Sequence, residues 1–235
     1  MHLLIDIGNT SAKVAVWDDD LVYFERRTES WADTFARLMA AYPIADLRLS
    51  TVAADDPELR SALAALTIPV ISLTASTPCP VKPFAPIPQG YGADRWAADI
   101  GAIVQDPDHT LLIIDAGTCI TYDLISADGR LLGGVISPGV QLRLNAMHEH
   151  TALLPQIEAT PDAELMGYDT RTHMLSSAVN GVRFEMEGYI RILWQEHPDL
   201  HVFITGGNPF HFSPDITCPV THDPYLLLRG LASIV

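Results

Sequence analysis

"LLIDIGNTSAK", residues 3–13, runs as an apolar strand into Asp6 and then breaks at Gly8-Asn9-Thr10 before a second run begins. "LLIIDAGTCITYD", residues 111–123, repeats the device with Asp115, Gly117 and Thr118. Glycine reaches positive φ and lets backbone come close to a ligand, so successive N–H groups in such a turn converge on phosphate oxygens. Asn9, Thr10 and Thr118 add side-chain donors, and Lys13, just past the first turn, adds a cation. A carboxylate repels phosphate but suits a hydrated Mg²⁺ that bridges to it. One D-x-G-x-T is an ordinary hairpin. Its recurrence at matching places in a repeated unit points to a nucleotide held between two facing turns.

Around the first turn, residues 2–7, 13–17 and 21–26 read as a three-stranded meander, punctuated by Gly8-Asn9 and Asp18-Asp19-Asp20. Ser30 caps a helix carrying Trp31, Phe35, Leu38, Met39 and Tyr42 on one stripe. A strand over 47–52, a helix over 57–66 opened by Pro57, and a strand over 69–73 complete the order βββαβαβ. Residues 77–91 hold five prolines and read as a connecting loop, after which 93–104 resumes helical spacing.

The second half starts the same way, with strands over 111–115, 120–125 and 130–136. A long helix over 172–196 buries Leu175, Ala178, Val179, Val182, Met186, Tyr189, Ile190 and Leu193, a strand covers 201–205, and a last helix covers 223–235, capped by Asp223 with Pro224 after it. "ITGGNP", residues 204–209, puts paired glycines directly after a strand, where backbone packs against a base or ribose, or simply turns. The internal duplication predicts an α/β protein of two related halves, 1–108 and 109–235.

Composition narrows the function. The 235 residues are 48% apolar, enough for a real core, and the formal charge of −15 repels phosphate backbones and anionic lipid. No nucleic-acid or membrane partner is expected, and any anionic ligand needs a locally built site. Cys79, Cys119 and Cys218 are odd in number and form no CxxC pair, which fits a reducing cytoplasm better than a disulfide framework or zinc site. No apolar run approaches the roughly 18 residues of a membrane span.

"GYGADRW", residues 90–96, carries the chemistry. Asp94 and Arg95 follow a glycine-rich loop and open a helix. Asp94 is placed to accept the proton of a substrate hydroxyl attacking the γ-phosphate, and Arg95 to grip a substrate carboxylate bidentately. The competing reading makes Asp94 a helix N-cap and Arg95 its surface partner. Other features read as structural. His148 and His150 lie at i, i+2 on a helix and point apart, Cys119 reads as a small core residue, and Trp31, Trp96 and Trp194 read as core or subunit interface.

Asp6-Ile7-Gly8-Asn9-Thr10 with Lys13, Gly92-Ala93-Asp94-Arg95-Trp96, Asp115-Ala116-Gly117-Thr118, "GGVISPG" (133–139), "TALLP" (151–155) and "TGG" (205–207), taken in order over nearly the whole chain, resemble the type III pantothenate kinases. The resemblance implies the actin-like ATPase fold, two ribonuclease-H-like halves with a nucleotide cleft between them. It implies ATP-dependent phosphorylation of pantothenate, the first step of coenzyme A biosynthesis, with Mg²⁺ and a monovalent cation, K⁺ or NH₄⁺, as cofactors, in a cytoplasmic homodimer.

Residue by residue, the resemblance puts the ATP loop on Asp6, Ile7, Gly8, Asn9, Thr10, Ser11, Ala12 and Lys13, with Thr118 as the second nucleotide contact. Gly92, Ala93, Asp94, Arg95 and Thr170 fall on pantothenate-binding positions, Thr170 commonly across the dimer interface. Asp94 falls on the general base, Asp115 on the monovalent-cation ligand, and Asp6 on the carboxylate that meets Mg²⁺ through phosphate or water. The chain departs from the family at Ala85, where many members carry a substrate-pocket tyrosine; Phe84 or Tyr91 fills that role or the contact is missing. Two other functions share these motifs: another small-molecule kinase of the actin-like fold, and a non-catalytic nucleotide-binding regulator.

Overall fold

A computed structural model describes residues 1–8, 11–52, 55–74, 76–78, 88, 90–207 and 212–234. Asn9, Thr10, Cys79, Phe84, Ala85, Asn208, Pro209 and most of the proline-rich loop lie outside the described residues. The chain divides into two compact units, Met1–Pro107 with Tyr225–Val235, and Asp108–Pro224.

The first unit is built on β1 (His2–Ile7), β2 (Ala12–Asp18), β3 (Asp20–Arg26), β4 (Asp46–Thr51) and β5 (Val70–Ser72), in the sheet order β3-β2-β1-β4-β5. β1 to β3 form the antiparallel meander, and β4 and β5 add on in parallel. Leu3, Leu4 and Ile5 are all fully buried, because β1 is central and covered on both faces. Alternation divides their work. Leu3, Ile5, Val14, Val16, Leu47 and Leu49 face Trp31, Phe35 and Leu38 of α1 (Trp31–Ala41) and Leu59 and Ala62 of α2 (Pro57–Ala64). Ser30 caps α1 as its side chain accepts from Asp33 N–H, and Asp56 caps α2 ahead of Pro57.

The opposite face of this sheet packs against α3 (Ala93–Gln105) and the last helix of the chain, α6 (Leu226–Ser233). These two helices cross at their glycines. A Cβ on Gly230 would stand 1.8 Å from the Ala97 carbonyl oxygen, and one on Gly101 would stand 2.1 Å from that of Leu226. Buried Arg48 on β4 ties α6 down by donating to the carbonyls of Leu231 and Ala232. The last helix therefore completes the first unit, whereas the sequence reading grouped 109–235 together.

In the second unit, β6 (Leu111–Ala116), β7 (Cys119–Ile125), β8 (Leu131–Pro138), β9 (His201–Gly206) and β10 (Val220–His222) give the order β10-β9-β6-β7-β8. It is the first sheet's topology again: a meander, then two parallel strands on the side of its first member. α4 (Val140–Glu149) and the long α5 (Thr170–Glu196) cover one face, with Leu175, Ala178, Val179, Val182, Met186 and Ile190 in the core and Tyr189, Leu193 and Trp194 packed at its edge.

Several readings change. α4 entered only as a helix carrying His148 and His150, without bounds, and β10 was not foreseen. α5 begins at Thr170 rather than 172, because Asp169 and Thr172 form a capping box. α6 begins at Leu226 with Tyr225 as its cap, since Asp223 is a buried residue whose N–H donates to Ile204 O in the strand ladder. Cys119 is exposed rather than in the core: it opens β7, and its neighbour Ile120 takes the inward position.

Gly230→Ala is expected to lower unfolding free energy by about 2 kcal/mol or more, as overpacking of a rigid contact does. Gly188→Ala, at a helical position where a Cβ meets nothing within 4 Å, should instead raise it by about 0.5–1 kcal/mol. Denaturant titration of the two variants checks both signs.

Candidate active site

In the first unit the β1–β2 hairpin closes where Gly8 N–H donates to Ser11 O at 3.1 Å. Asp6 and Lys13 are register partners on the two strands, and Lys13 Nζ donates to Asp6 Oδ2 at 3.1 Å. Asp6 is 4% exposed, and its other oxygen, Oδ1, is buried with no hydrogen-bond partner among the described residues. Burial pushes its carboxyl above the ordinary carboxylate range; Lys13 opposes that shift and the charge of Asp94 adds to it. Asp94 is therefore close enough to Asp6 for the two carboxylates to be felt electrostatically.

The position of Asp94 has a local cause. β4 runs on past Thr51, with Val52 N–H donating to Ile7 O at 3.1 Å, and Val52 lies against Gly92, the N-cap of α3. A Cβ on Gly92 would come within 2.4 Å of Asp94 Oδ1, so only glycine leaves that carboxylate its place. Asp94 sits in the first turn of α3 rather than at the cap, and Oδ1 accepts from Arg95 N–H at 2.8 Å. The helix dipole favours a negative charge there. Arg95 stacks its guanidinium 4.6 Å from the ring centroid of Tyr91, whose hydroxyl donates to Asp99 Oδ2 at 2.6 Å. Half-buried Tyr91 is thus locked to the helix that carries Asp94.

The second unit shows a parallel construction at the end of β6. Half-buried Asp115 stands in register with Thr121 on β7 and Thr205 on β9. Gly117 N–H donates to Cys119 O, and Gly139, which opens α4, donates to Thr118 O at 2.9 Å. A Cβ on Gly139 would strike the carbonyl oxygens of Gly117 and Thr118 at 2.4 and 2.6 Å. Gly206 adopts φ +101° and packs on Ala116, so the paired glycines of "TGG" press onto the Asp115 turn. Thr118 is exposed. Thr170, also exposed, opens α5 beside its capping box.

The structure thus gathers Asp6, Lys13, Gly92, Asp94 and Arg95 in one unit, and Asp115, Gly117, Thr118 and Gly206 in the other. Ser50 went unremarked in the sequence, and Gly139 entered only as the end of "GGVISPG". The signal for Gly139 is its place directly before a helix, and for Ser50 a hydroxyl one residue from the end of a buried strand, in register with Asp6. His148, read from the sequence as structural, donates through Nδ1 to Leu154 O.

Asp6→Asn tests the electrostatics. Because the folded-state pKa of Asp6 lies above its ordinary 3.8, the folded protein keeps this proton longer than the unfolded chain. The contribution of Asp6 to stability is full below pH 3.8 and is lost as pH rises through the folded pKa. Asp6→Asn should therefore match the parent in Tm near pH 4 and exceed it at pH 7, read by thermal melts across that window.

Comparison with other proteins gives the chain its family. The family model described as type III pantothenate kinase matches residues 2–192. A type III pantothenate kinase of Phocaeicola vulgatus is 38% identical over 236 aligned residues, covering 100% of this chain and 98% of its own, and one of Bacteroides fragilis is 36% identical, covering 100% and 97%. Among solved structures, a Campylobacter jejuni protein provisionally assigned as a Baf family transcriptional activator superposes with a TM-score of 0.57 at 23% identity, covering 98% of this chain and 95% of that one. A Sinorhizobium meliloti protein provisionally assigned as a 2-dehydro-3-deoxygalactonokinase gives 0.59 at 10% identity, covering 99% and 95%. These two likenesses bear on fold alone, and the fold is the actin-like α/β arrangement of two repeated sheets. With its whole length aligned to curated relatives at up to 38% identity and its first 192 residues but one matched to the family, this chain belongs to the type III pantothenate kinases.

Proposed function

We infer that this protein transfers the γ-phosphoryl group of ATP to the terminal hydroxyl of pantothenate, giving 4'-phosphopantothenate, the first step of coenzyme A biosynthesis. The full-length relationship to type III pantothenate kinases carries this conclusion. The location of Asp94 supports a role for it: a carboxylate in the first turn of α3, given room by Gly92 and close to the buried carboxylate of Asp6.

In this reading the loop from Asp6 to Lys13, with Ile7, Gly8, Asn9, Thr10, Ser11 and Ala12 between them, and Thr118 bind ATP. Gly92, Ala93, Asp94, Arg95 and Thr170 bind pantothenate. Arg95 offers a planar fork to the pantothenate carboxylate, which needs a local cation on a chain of charge −15. Asp94 accepts the hydroxyl proton as the oxygen attacks phosphorus.

The donor set fits the metal ions such a reaction uses. A hard divalent ion takes oxygen ligands and keeps several waters. Asp6 brings a carboxylate to the hairpin, and its Oδ2, which Lys13 holds at 3.1 Å, would be the oxygen to meet Mg²⁺ through water or phosphate. Bound there, Mg²⁺ would neutralise charge on the phosphate oxygens. Half-buried Asp115, with Oδ1 3.9 Å from where a Cβ on Gly117 would stand, offers carboxylate oxygens suited to K⁺ or NH₄⁺. A homodimer accords with the exposed apolar residues just before Thr170, Met166 at 81% and Tyr168 at 75%. No helix among the described residues is long and apolar enough to cross a membrane.

Asp94→Asn should lower pantothenate-dependent ADP release by at least about 10²-fold while calorimetry still detects MgATP binding. Loss of nucleotide binding instead would recast Asp94 as a metal ligand. In the same coupled assay the parent protein should need pantothenate and should lose activity when K⁺ is exchanged for Na⁺; turnover indifferent to the cation would remove Asp115 from its role. Sedimentation of the parent as a monomer at assay concentration would remove the dimer.

A further inference from the structure

Ser50, the penultimate residue of β4, stands in parallel register with Asp6, and in a parallel pair registered side chains project from the same face. Asp6 thus lies between Lys13 on one neighbouring strand and Ser50 on the other. Ser50 is 0% exposed, and its Oγ, like Asp6 Oδ1, is buried without a partner among the described residues. One atom is a donor lacking an acceptor, and the other is an acceptor lacking a donor. Both are shut off from water, so neither is satisfied by solvent, and an unmet buried polar group is costly. A change of the serine χ1 rotamer is the small movement that brings such neighbours together.

The cost is largest when nucleotide arrives. Lys13 is the donor that Asp6 holds in this structure, at 3.1 Å. A phosphate at the hairpin attracts the same ammonium, and Asp6 then faces a nearby Asp94 with less compensation. A hydroxyl on the strand at the other side restores a donor without adding charge.

We propose that Ser50 is a positioning residue for Asp6: its hydroxyl donates to Asp6 Oδ1 when Lys13 engages phosphate, fixing the carboxylate that meets the nucleotide's hydrated Mg²⁺. This rests on the kinase reading for the roles of Asp6 and Lys13, but its test does not require pantothenate turnover. Ser50 touches neither substrate nor metal in this scheme and acts only through Asp6.

The experiment is a double-mutant cycle on MgATP affinity, measured by calorimetry without pantothenate, using Ser50→Ala, Asp6→Asn and the pair. Ser50→Ala should weaken MgATP binding about tenfold, the loss of one hydrogen bond to a charged group. It should raise the Mg²⁺ concentration for half-maximal turnover and leave the KM for pantothenate within about twofold. On the Asp6→Asn background the same substitution should change nothing further. Ser50→Cys, nearly equal in volume and a poor donor, should repeat the loss, and it decides the matter by the same criteria if the alanine variant fails to fold. Unchanged MgATP affinity, or an effect that simply adds to that of Asp6→Asn, overturns the proposal. A parent protein that binds MgATP yet does not phosphorylate pantothenate overturns the substrate assignment alone.

Discussion

The first unit is organised around a carboxylate held inside a sheet. Asp6 follows three fully buried apolar residues on the central strand, so its place is set by core packing and not by a flexible loop. Burial disfavours its charge, and one lysine at 3.1 Å offsets part of that. The arrangement is an electrostatic liability that folding alone would not select. In the proposed function, a multiply charged ligand with its own cation would supply what the protein leaves incomplete.

Glycines do related work by subtraction. Gly92 leaves space for the Asp94 carboxylate, Gly139 lets the start of α4 lie on the carbonyls of the Thr118 turn, and Gly206 takes a positive φ against β6. Gly101 and Gly230 bring two helix backbones together over the face of the sheet that carries Asp6. In each case the missing methylene allows backbone or carboxylate to occupy a position that any Cβ would fill.

Much of this was legible in the sequence because it rests on local chemistry. Strand runs ended by Asp-x-Gly, Ser30 and Pro57 opening helices, and the stripe from Leu175 to Leu193 are signals carried within a few residues of the structure they specify. What was missed, or left without bounds, depends on distant partners. α4, "VQLRLNAMHE", has a weak apolar face and buries only Val140 and Leu144, and β10 is three residues held by pairing to β9. Cys119 looked apolar enough for a core, but the pleat turns Ile120 inward instead. At the site, residue types were readable, whereas the pairing of Lys13 with Asp6 and the register of Ser50 required the sheet.

α6 has a consequence for synthesis. Residues 108–224 are contiguous, so the second unit has all of its own chain once they have emerged, while the first unit waits for residues 225–234 to cover β1 and β4. Until then the groove beside α3, with Gly101 at its floor, exposes apolar surface in the nascent polypeptide, and Arg48 lacks its carbonyl acceptors on α6. The unit whose strands are made first of the two is thus closed second, a long-range closure that slows folding and lengthens the interval in which chaperones have something to hold.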